Sequence, residues 1–390
     1  MIKIENLIAK LCPDGMPFTS LELIASVITG DQLNKELLSQ SGKYPVMNGG
    51  ISPSGFYHEF NNEAETTVIS QGGASAGFVT WMDTKFWAGA HLFVIKPKQN
   101  FINARFLYYF LKAREINIQA MKTGAGIPSL NRSKLIEIKV PVPPMEIQYE
   151  IVKILDTFSE LESSLKTELD ARKKQFDFFR DRFVSELKSN CDWIPFGSLA
   201  TIVRGASPRP IEKYLSEDVD AVPWIKIGDT DINERYIIQT AQRISVEGVK
   251  KSRKIEPGDF ILSNSMSFGR PYISKIQGCI HDGWLAISNF QEHLVSDFLY
   301  YILQSKHIQN EFNQKSNSGS VSNLNAEIVK SVLIPVPKID RQLAIVSMLG
   351  AMEDLVISQT TGLPAEIFAR RKQFEYYRDR LLTFKELESA

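Results

Sequence analysis

Asparagine, glutamine, serine and arginine set among glycines are the side chains in this sequence best suited to hydrogen-bond a polyanion. They gather in four stretches: Asn48-Gly49-Gly50-Ile51-Ser52-Pro53-Ser54-Gly55, with Lys43 just before it; Ser70-Gln71-Gly72-Gly73-Ala74-Ser75; Arg204-Gly205-Ala206-Ser207-Pro208-Arg209-Pro210; and Asn264-Ser265-Met266-Ser267-Phe268-Gly269-Arg270. Backbone N–H groups and hydroxyls suit phosphate oxygens, and Arg, Asn, Gln and Ser can read base edges. Candidate contact residues are therefore Lys43, Asn48, Ser52, Ser54, Gln71, Ser75, Arg204, Ser207, Arg209, Asn264, Ser265 and Arg270. Each stretch taken singly is also what an ordinary turn looks like. Arg204 and Arg209 stand out, because a proline-restricted loop would present two guanidinium forks on a stiff backbone. Lys250, Lys251, Arg253 and Lys254 form a basic run that a solvated surface face explains about equally well.

Catalytic constellations are missing. Gly42-Lys43 is followed by Tyr44, which spoils a phosphate-binding loop, and there is no strand-linked Gly-x-Gly-x-x-Gly. No Asn/Asp-Pro-Pro-Tyr/Phe tetrad is present to hold a target amine. His58, His91, His281, His293 and His307 stand apart from any partner at ligand spacing. His91 and His281 adjoin expected strands, where a hydrogen-bonded structural histidine is the better reading. Cys12, Cys191 and Cys279 are too few and too scattered for a zinc site or a disulfide framework, and read as reduced thiols in a cytoplasm. No metal or cofactor is expected on the chain.

The chain has 390 residues, 43% of them hydrophobic and 10% aromatic, enough for two or three cored domains and unlike a disordered or collagen-like chain. Its 45 basic residues balance 45 acidic ones, so any positive surface must be local. The start, Met1-Ile2-Lys3-Ile4-Glu5-Asn6, lacks the apolar core of a signal peptide, and no apolar run is long enough to span a membrane.

These groups must be positioned by something, and the strongest clue is that the chain repeats itself. Ala171-Arg172-Lys173-Lys174-Gln175-Phe176-Asp177-Phe178-Phe179-Arg180-Asp181-Arg182 recurs as Ala369-Arg370-Arg371-Lys372-Gln373-Phe374-Glu375-Tyr376-Tyr377-Arg378-Asp379-Arg380, 198 positions on. Leu130-Asn131 and Pro141-Val142-Pro143 recur as Leu324-Asn325 and Pro335-Val336-Pro337, 194 positions on. The four extra residues in the second copy fall around Gly362-Leu363-Pro364. Met16-Pro17-Phe18 echoes Ile194-Pro195-Phe196, but the stretches between the repeats diverge. Ile4, Ile8 and Cys12 match Phe183, Leu187 and Cys191, which suggests that an N-terminal helix docks beside the C-terminal one and closes a pseudo-twofold molecule.

Apolar residues at Ile147, Ile151, Ile154, Phe158, Leu161 and Leu165 alternate steps of four and three, and Phe176, Phe179 and Phe183 resume the stripe after a stutter. No Pro or Gly interrupts 145–187, so a helix of about 65 Å is expected at roughly 1.5 Å per residue. The second copy runs through Leu343, Val346, Leu349, Met352 and Val356, then Leu363, Ile367, Phe374, Tyr377 and Leu381, with a kink or break at Gly362 and Pro364. An antiparallel helix pair is the economical arrangement. Its expected core is Ile151, Ile154, Phe158, Leu161, Leu165, Phe176, Phe179, Leu349, Val356, Phe374 and Tyr377. The alternative is two amphipathic helices packed on separate domains. Arg172 and Arg370 fall within the stripe, as snorkelling side chains or as charges met by a partner.

Between the helical regions, runs such as Thr67-Val68-Ile69-Ser70, Leu92-Phe93-Val94-Ile95, Asp259-Phe260-Ile261-Leu262-Ser263 and Leu285-Ala286-Ile287-Ser288 read as strands. Helices follow at 104–112 and 296–304. The expected fold class is α+β: two α+β globules separated by two long helices that form an antiparallel coiled coil. The expected division is an N-terminal helix over 1–15, globules over 16–143 and 193–337, and helical regions over 144–192 and 338–390.

This layout resembles the specificity subunit of type I restriction-modification systems. The likeness is carried by Pro141-Val142-Pro143-Pro144 with Gln148, Pro335-Val336-Pro337 with Gln342, and Gly362-Leu363-Pro364-Ala365-Glu366-Ile367 through Arg370-Arg371-Lys372-Gln373-Phe374-Glu375-Tyr376-Tyr377-Arg378-Asp379. Tyr44-Pro45-Val46-Met47-Asn48-Gly49-Gly50 and Arg204-Gly205-Ala206-Ser207-Pro208 support it. The resemblance implies a non-catalytic subunit whose two target-recognition domains each read half of a split, asymmetric site in double-stranded DNA, with the helices as spacer. It implies two methyltransferase subunits bringing S-adenosylmethionine, restriction subunits bringing ATP-driven, Mg-dependent cleavage, no membrane, and a cytoplasmic setting. The residues alone leave two other readings open: a coiled-coil scaffold whose globules bind protein or glycan, and an enzyme with an unrecognised active site.

Overall fold

The computed structural model describes residues 2–98, 101–124, 126, 128–231, 234–264, 268–316, 324–358 and 360–387. They form two compact units, 1–164 with 367–390, and 165–366.

In the first unit, strands Ala25–Thr29, Leu92–Pro97, Thr66–Ser70 and Val79–Met82 lie side by side in that order as an antiparallel sheet. Strands Gly55–Tyr57, Tyr44–Met47 and Trp87–Ala88 form a smaller mixed sheet. The Val/Ile-rich runs at 67–69 and 92–95 are buried throughout, as strands at the centre of a sheet should be. Helix Ala104–Ala113 is capped by Asn103 and covers the sheet with Phe106, Leu107, Phe110 and Leu111. Strand Phe18–Ser20 pairs antiparallel with Lys139–Pro141, so the segment leaving the globule lies beside the one entering it.

The second unit has the same plan. Strands Thr201–Arg204, Trp284–Ser288, Phe260–Ser263 and Pro271–Ser274 repeat the first sheet, with Tyr236–Ile237 added at its edge. Strands Gln242–Ile244, Val222–Ile225 and Gly278–Ile280 repeat the second, again with one extra edge strand, Arg253–Ile255. Helix Ser296–Gln304 takes the place of 104–113, and Asp192–Pro195 pairs with Leu333–Val336. The globules that diverge in sequence are thus alike in topology. Phe18 lies opposite Pro141 and Trp193 opposite Pro335, so Trp193 holds the place of Phe18. The echo between Met16-Pro17-Phe18 and Ile194-Pro195-Phe196 is three positions out of structural register.

A single helix, Met145–Leu187, begins directly after Pro143-Pro144 and runs 43 residues without a break. Its last carbonyls are met by side chains: Asn190 Nδ2 donates to Glu186 O at 2.7 Å and Trp193 Nε1 to Leu187 O at 3.2 Å. The second copy is two helices, Ile339–Ile357 and Leu363–Leu381. Any Cβ at Gly362 would meet Asp354 O at 2.5 Å.

Within the first unit, Ile147, Ile151 and Leu155 of the long helix share a core with Phe106, Phe110, Leu381 and Leu382. The Phe158 ring stacks on Tyr377 at 5.4 Å. Helix Ile2–Leu11 bridges the two longer helices: Lys3 reaches Glu150 at 2.6 Å and Glu5 reaches Arg380 at 2.7 Å. Met16 exchanges backbone hydrogen bonds with Lys385 and Leu387, both at 2.9 Å. Numbers rise from 150 to 158 as they fall from 380 to 377, so the helices run in opposite senses. Within the second unit, Phe176, Val184 and Leu187 share a core with Ile345 and Leu349. Glu186 faces Arg341 at 4.0 Å, and Tyr301 touches both Phe176 and Glu353, which again gives opposite senses.

Of the expected helix-pair core, Ile151, Phe176, Leu349 and Val356 are buried, and Ile154, Phe158, Leu165, Phe179, Phe374 and Tyr377 are half-buried. Leu161 is 38% exposed, and Leu343 of the same stripe 49%. This exposure has a physical cause. Each helix segment is buried chiefly against its own globule, on a face of period near 3.6 running through 147, 151 and 155, then 176, 180, 184 and 187. A strict alternation of four and three drifts off that face. Arg172 answers to its own helix, donating to Glu168 at 2.7 Å and Gln175 at 2.8 Å.

Candidate nucleic-acid interface

Each globule carries its Gly/Ser/Asn loops at one place, the joint between its two sheets. In the second unit the hub is Asp282, in the turn between strands Gly278–Ile280 and Trp284–Ser288. Its carboxylate accepts Ser207 Oγ at 2.7 Å and faces Arg209 Nη2 at 3.3 Å and His281 Nε2 at 3.0 Å. Its backbone carbonyl accepts Arg204 Nε and Asn264 Nδ2, both at 3.0 Å. The Ser207 hydrogen bond, with the charges of His281 and Arg209, holds the Asp282 carboxyl below its ordinary range. Gly205 permits this closeness, because a Cβ there would stand 2.2 Å from His281 O.

Arg204, Ser207, Arg209 and Asn264 are therefore brought together. Arg209 is the most available, with 82% of its side chain exposed. Asn264 is buried, its amide spent on Asp282, and supports the loop without presenting a base-reading group. Arg270 flanks the same hairpin, its carbonyl accepting Ser263 N–H at 3.1 Å, but its guanidinium turns towards the Tyr272 ring at 5.8 Å. Ser265 lies outside the described residues. His281 Nδ1 accepts the Gly283 N–H at 2.9 Å, the satisfied structural histidine expected of it.

In the first unit the corresponding centre is the Gly89-Ala90-His91 turn. Asn48 Oδ1 accepts His91 N–H at 3.3 Å, and Gln71 N–H donates to His91 O at 2.9 Å. Ser54 N–H returns to Val46 O at 2.8 Å, which folds exposed Ser52 and Ser54 back over the strand end. Ser75 is half-buried in the turn after Gln71, its carbonyl held by Phe78 N–H at 2.9 Å. Lys43 precedes strand Tyr44–Met47 whereas Asn48 follows it, so Lys43 stands at the opposite end from the loop cluster.

Gln71 and Asn264 occupy one structural position. Gln71 accepts Leu130 N–H at 2.7 Å, and Asn264 accepts Leu324 N–H at 3.0 Å. The repeated Leu-Asn pair is thereby explained: the leucine closes on the loop, and Asn131 or Asn325 caps the short helix that follows. Asp282 escapes sequence reasoning because its partners lie as much as 78 residues away and a lone Asp carries no signature.

The platforms are tied to the helices by two buried glutamines. Gln148 donates to Pro143 O at 2.7 Å and Phe101 O at 3.3 Å, and accepts Asn103 N–H at 2.7 Å. Gln342 donates to Pro337 O and His293 O, both at 2.9 Å, and accepts Val295 N–H at 2.8 Å. Nearby, Tyr109 donates to Asp156 at 2.6 Å and Tyr301 to Glu353 at 2.7 Å. Burial, reinforced by those carboxylates, pushes both phenols up.

Among the described residues no group of three or more His, Cys, Asp or Glu is placed to hold a metal ion, and no helix is long and apolar enough to cross a membrane. Against known proteins, the family model described as type I restriction modification DNA specificity domain matches twice, over residues 13–171 and 192–369. A putative type I restriction enzyme specificity subunit of Haemophilus influenzae is 28% identical over 371 residues, 90% of each chain. A type I restriction enzyme specificity subunit of Escherichia coli is 29% identical over 325 residues, 80% of this chain and 78% of that one. The crystal structure of a type I restriction-modification system S subunit from M. genitalium superposes with a TM-score of 0.58 at 20% identity, covering 94% of this chain and 96% of that one.

Proposed function

The chain belongs to the type I restriction modification DNA specificity family, as a specificity component and not a catalytic subunit, and from that premise we propose that it reads a bipartite, asymmetric target in double-stranded DNA. Residues 16–143 read one half and residues 193–337 the other. The observation that carries this is one topology built twice, with the same loop positions filled by different residues: Thr29, Gln71 and Ala90 in one unit, Arg204, Asn264 and Asp282 in the other. A common scaffold with unlike reading loops is what two unlike half-sites require.

The helical regions dock two methyltransferase subunits, and through them the restriction subunits. Support comes from apolar side chains left exposed on helix Ile339–Ile357, among them Ile339, Leu343, Met348 and Leu355. S-adenosylmethionine, ATP and Mg belong to those partners, and the assembly works in the cytoplasm. Because the chain has no net charge, it binds DNA weakly alone and gains affinity in the assembly. Exchange of residues 16–143 for those of another family member tests the reading. Methylome sequencing of cells holding the partner subunits should show one half of the modified sequence changed and the other kept. A change in both halves, or in neither, would sink it.

A further inference from the structure

We propose that the turn and edge strand over residues 250–255 of the second unit form a phosphate-binding track that grips the DNA backbone beside the reading loops. The proposal rests on the DNA-specificity reading above and adds a contact site to it.

Three observations converge. The first is charge. Lys250, Lys251, Arg253 and Lys254 are all exposed, and among the described residues none of the four pairs with a carboxylate. Lys251 hydrogen-bonds the Tyr214 hydroxyl and lies over that ring at 4.7 Å, which fixes its ammonium without neutralising it. The nearby Glu256 carboxylate is engaged instead by Gln277 Nε2, at 2.9 and 2.8 Å.

The second observation is position. Ser252, in the middle of the run, donates to Ala206 O at 2.7 Å, inside the loop that carries Arg204, Ser207 and Arg209. Arg253 lies opposite Ile280, next to His281 and Asp282. The basic run is therefore fastened to the reading loop. Backbone contacts of this kind set orientation and affinity, while neighbouring groups read sequence.

The third is contrast. Where the second unit has the strand Arg253–Ile255, the first has only a single antiparallel bridge, Asn62 to Phe86, and no basic residue on it. The segment between the corresponding strands there, 58–65, holds Glu59, Glu63 and Glu65 and no Lys or Arg. A feature built only to solubilise the fold would have no reason to change sign between two copies of one plan. The second unit is thus the electrostatic anchor of the pair, and the first contributes more by shape and base contact.

The test uses the full chain assembled with its methyltransferase partners and a DNA duplex carrying the methylated sequence. Changing Lys250, Lys251, Arg253 and Lys254 to Gln should weaken binding about tenfold or more near 0.1 M salt. It should also flatten the log–log salt slope by about 0.9 for each phosphate that is no longer neutralised. The methylated sequence itself should not change. The turn-only pair Lys250→Gln and Lys251→Gln leaves the strand intact and should show about half the slope change, while Arg253→Lys with Lys254→Arg should behave as the parent. Unchanged affinity and slope in the folded turn-only variant would overturn the proposal. A parent complex with no sequence preference would instead overturn the DNA-specificity reading, so the two failures are distinct.

Discussion

The side chains that matter most here are buried amides and a carboxylate. Gln148 and Gln342 are fully buried, and each satisfies three backbone groups at the point where a long helix leaves its globule. Replacing either by Ala would strand those groups without water. A loss of about 1–3 kcal/mol per substitution is expected, read as a lower midpoint in chemical denaturation. Asp282 acts differently, since it organises loops at the surface. Asp282→Asn keeps the shape but removes the charge facing Arg209 and His281, so the loop should loosen and modification should become less selective in one half of the target only. The sign with pH follows from its depressed carboxyl. Its contribution to stability is present above the ordinary carboxylate range and is lost as pH falls through the lower, folded-state value. The parent should therefore lose a stability increment on acidification that the Asn variant lacks, measurable as a converging thermal midpoint.

Among the helices and strands, how well the sequence foretells each one depends on how local its cause is. The long helix could be read because it starts directly after Pro143-Pro144 and no Gly or Pro interrupts 145–187, and the runs at 67–70 and 285–287 are strands whose burial is continuous. The helix faces were harder. Leu155, Val184 and Leu187 are buried where a heptad stripe would place Ile154 and Phe183, since the globules and not only the partner helix supply the contacts. Likewise the loop clusters could be found from Gly, Ser and Asn, but Asp282 could not, because its geometry arises only once segments distant in the chain meet. Burial supplies a direct check: Leu349→Ala removes a side chain only 1% exposed and should cost about 2–5 kcal/mol, whereas Leu343→Ala, at 49% exposure, should leave the thermal midpoint nearly unchanged. If the heptad reading of both positions were right, the two losses would be similar. Should Leu343→Ala instead weaken capture of the methyltransferase subunit, its exposure is explained by docking.

For the molecule as a whole, the duplicated plan makes a demand on the one element that belongs to both units. The helix Met145–Leu187 gives 145–164 to the first and 165–187 to the second, and it is continuous through that boundary. If the two globules read unlike half-sites, as proposed, their separation along DNA has to be specified, and lengthening this uninterrupted helix tests whether the chain itself specifies it. Near the boundary, Leu161 is exposed and Leu165 half-buried, so added residues there displace little packed core. Seven extra helix-forming residues between Leu161 and Leu165, matched by seven in the 358–362 connection, would lengthen the helix by about 10 Å at roughly 1.5 Å per residue. That is about three base pairs at roughly 3.4 Å each. The expected outcome is a methylated sequence whose two halves are unchanged and whose non-specific spacer is longer, read from the methylome of cells expressing the variant with its partners. An unchanged spacer in an active, folded variant would show that the partner subunits, and not this helix, determine the separation.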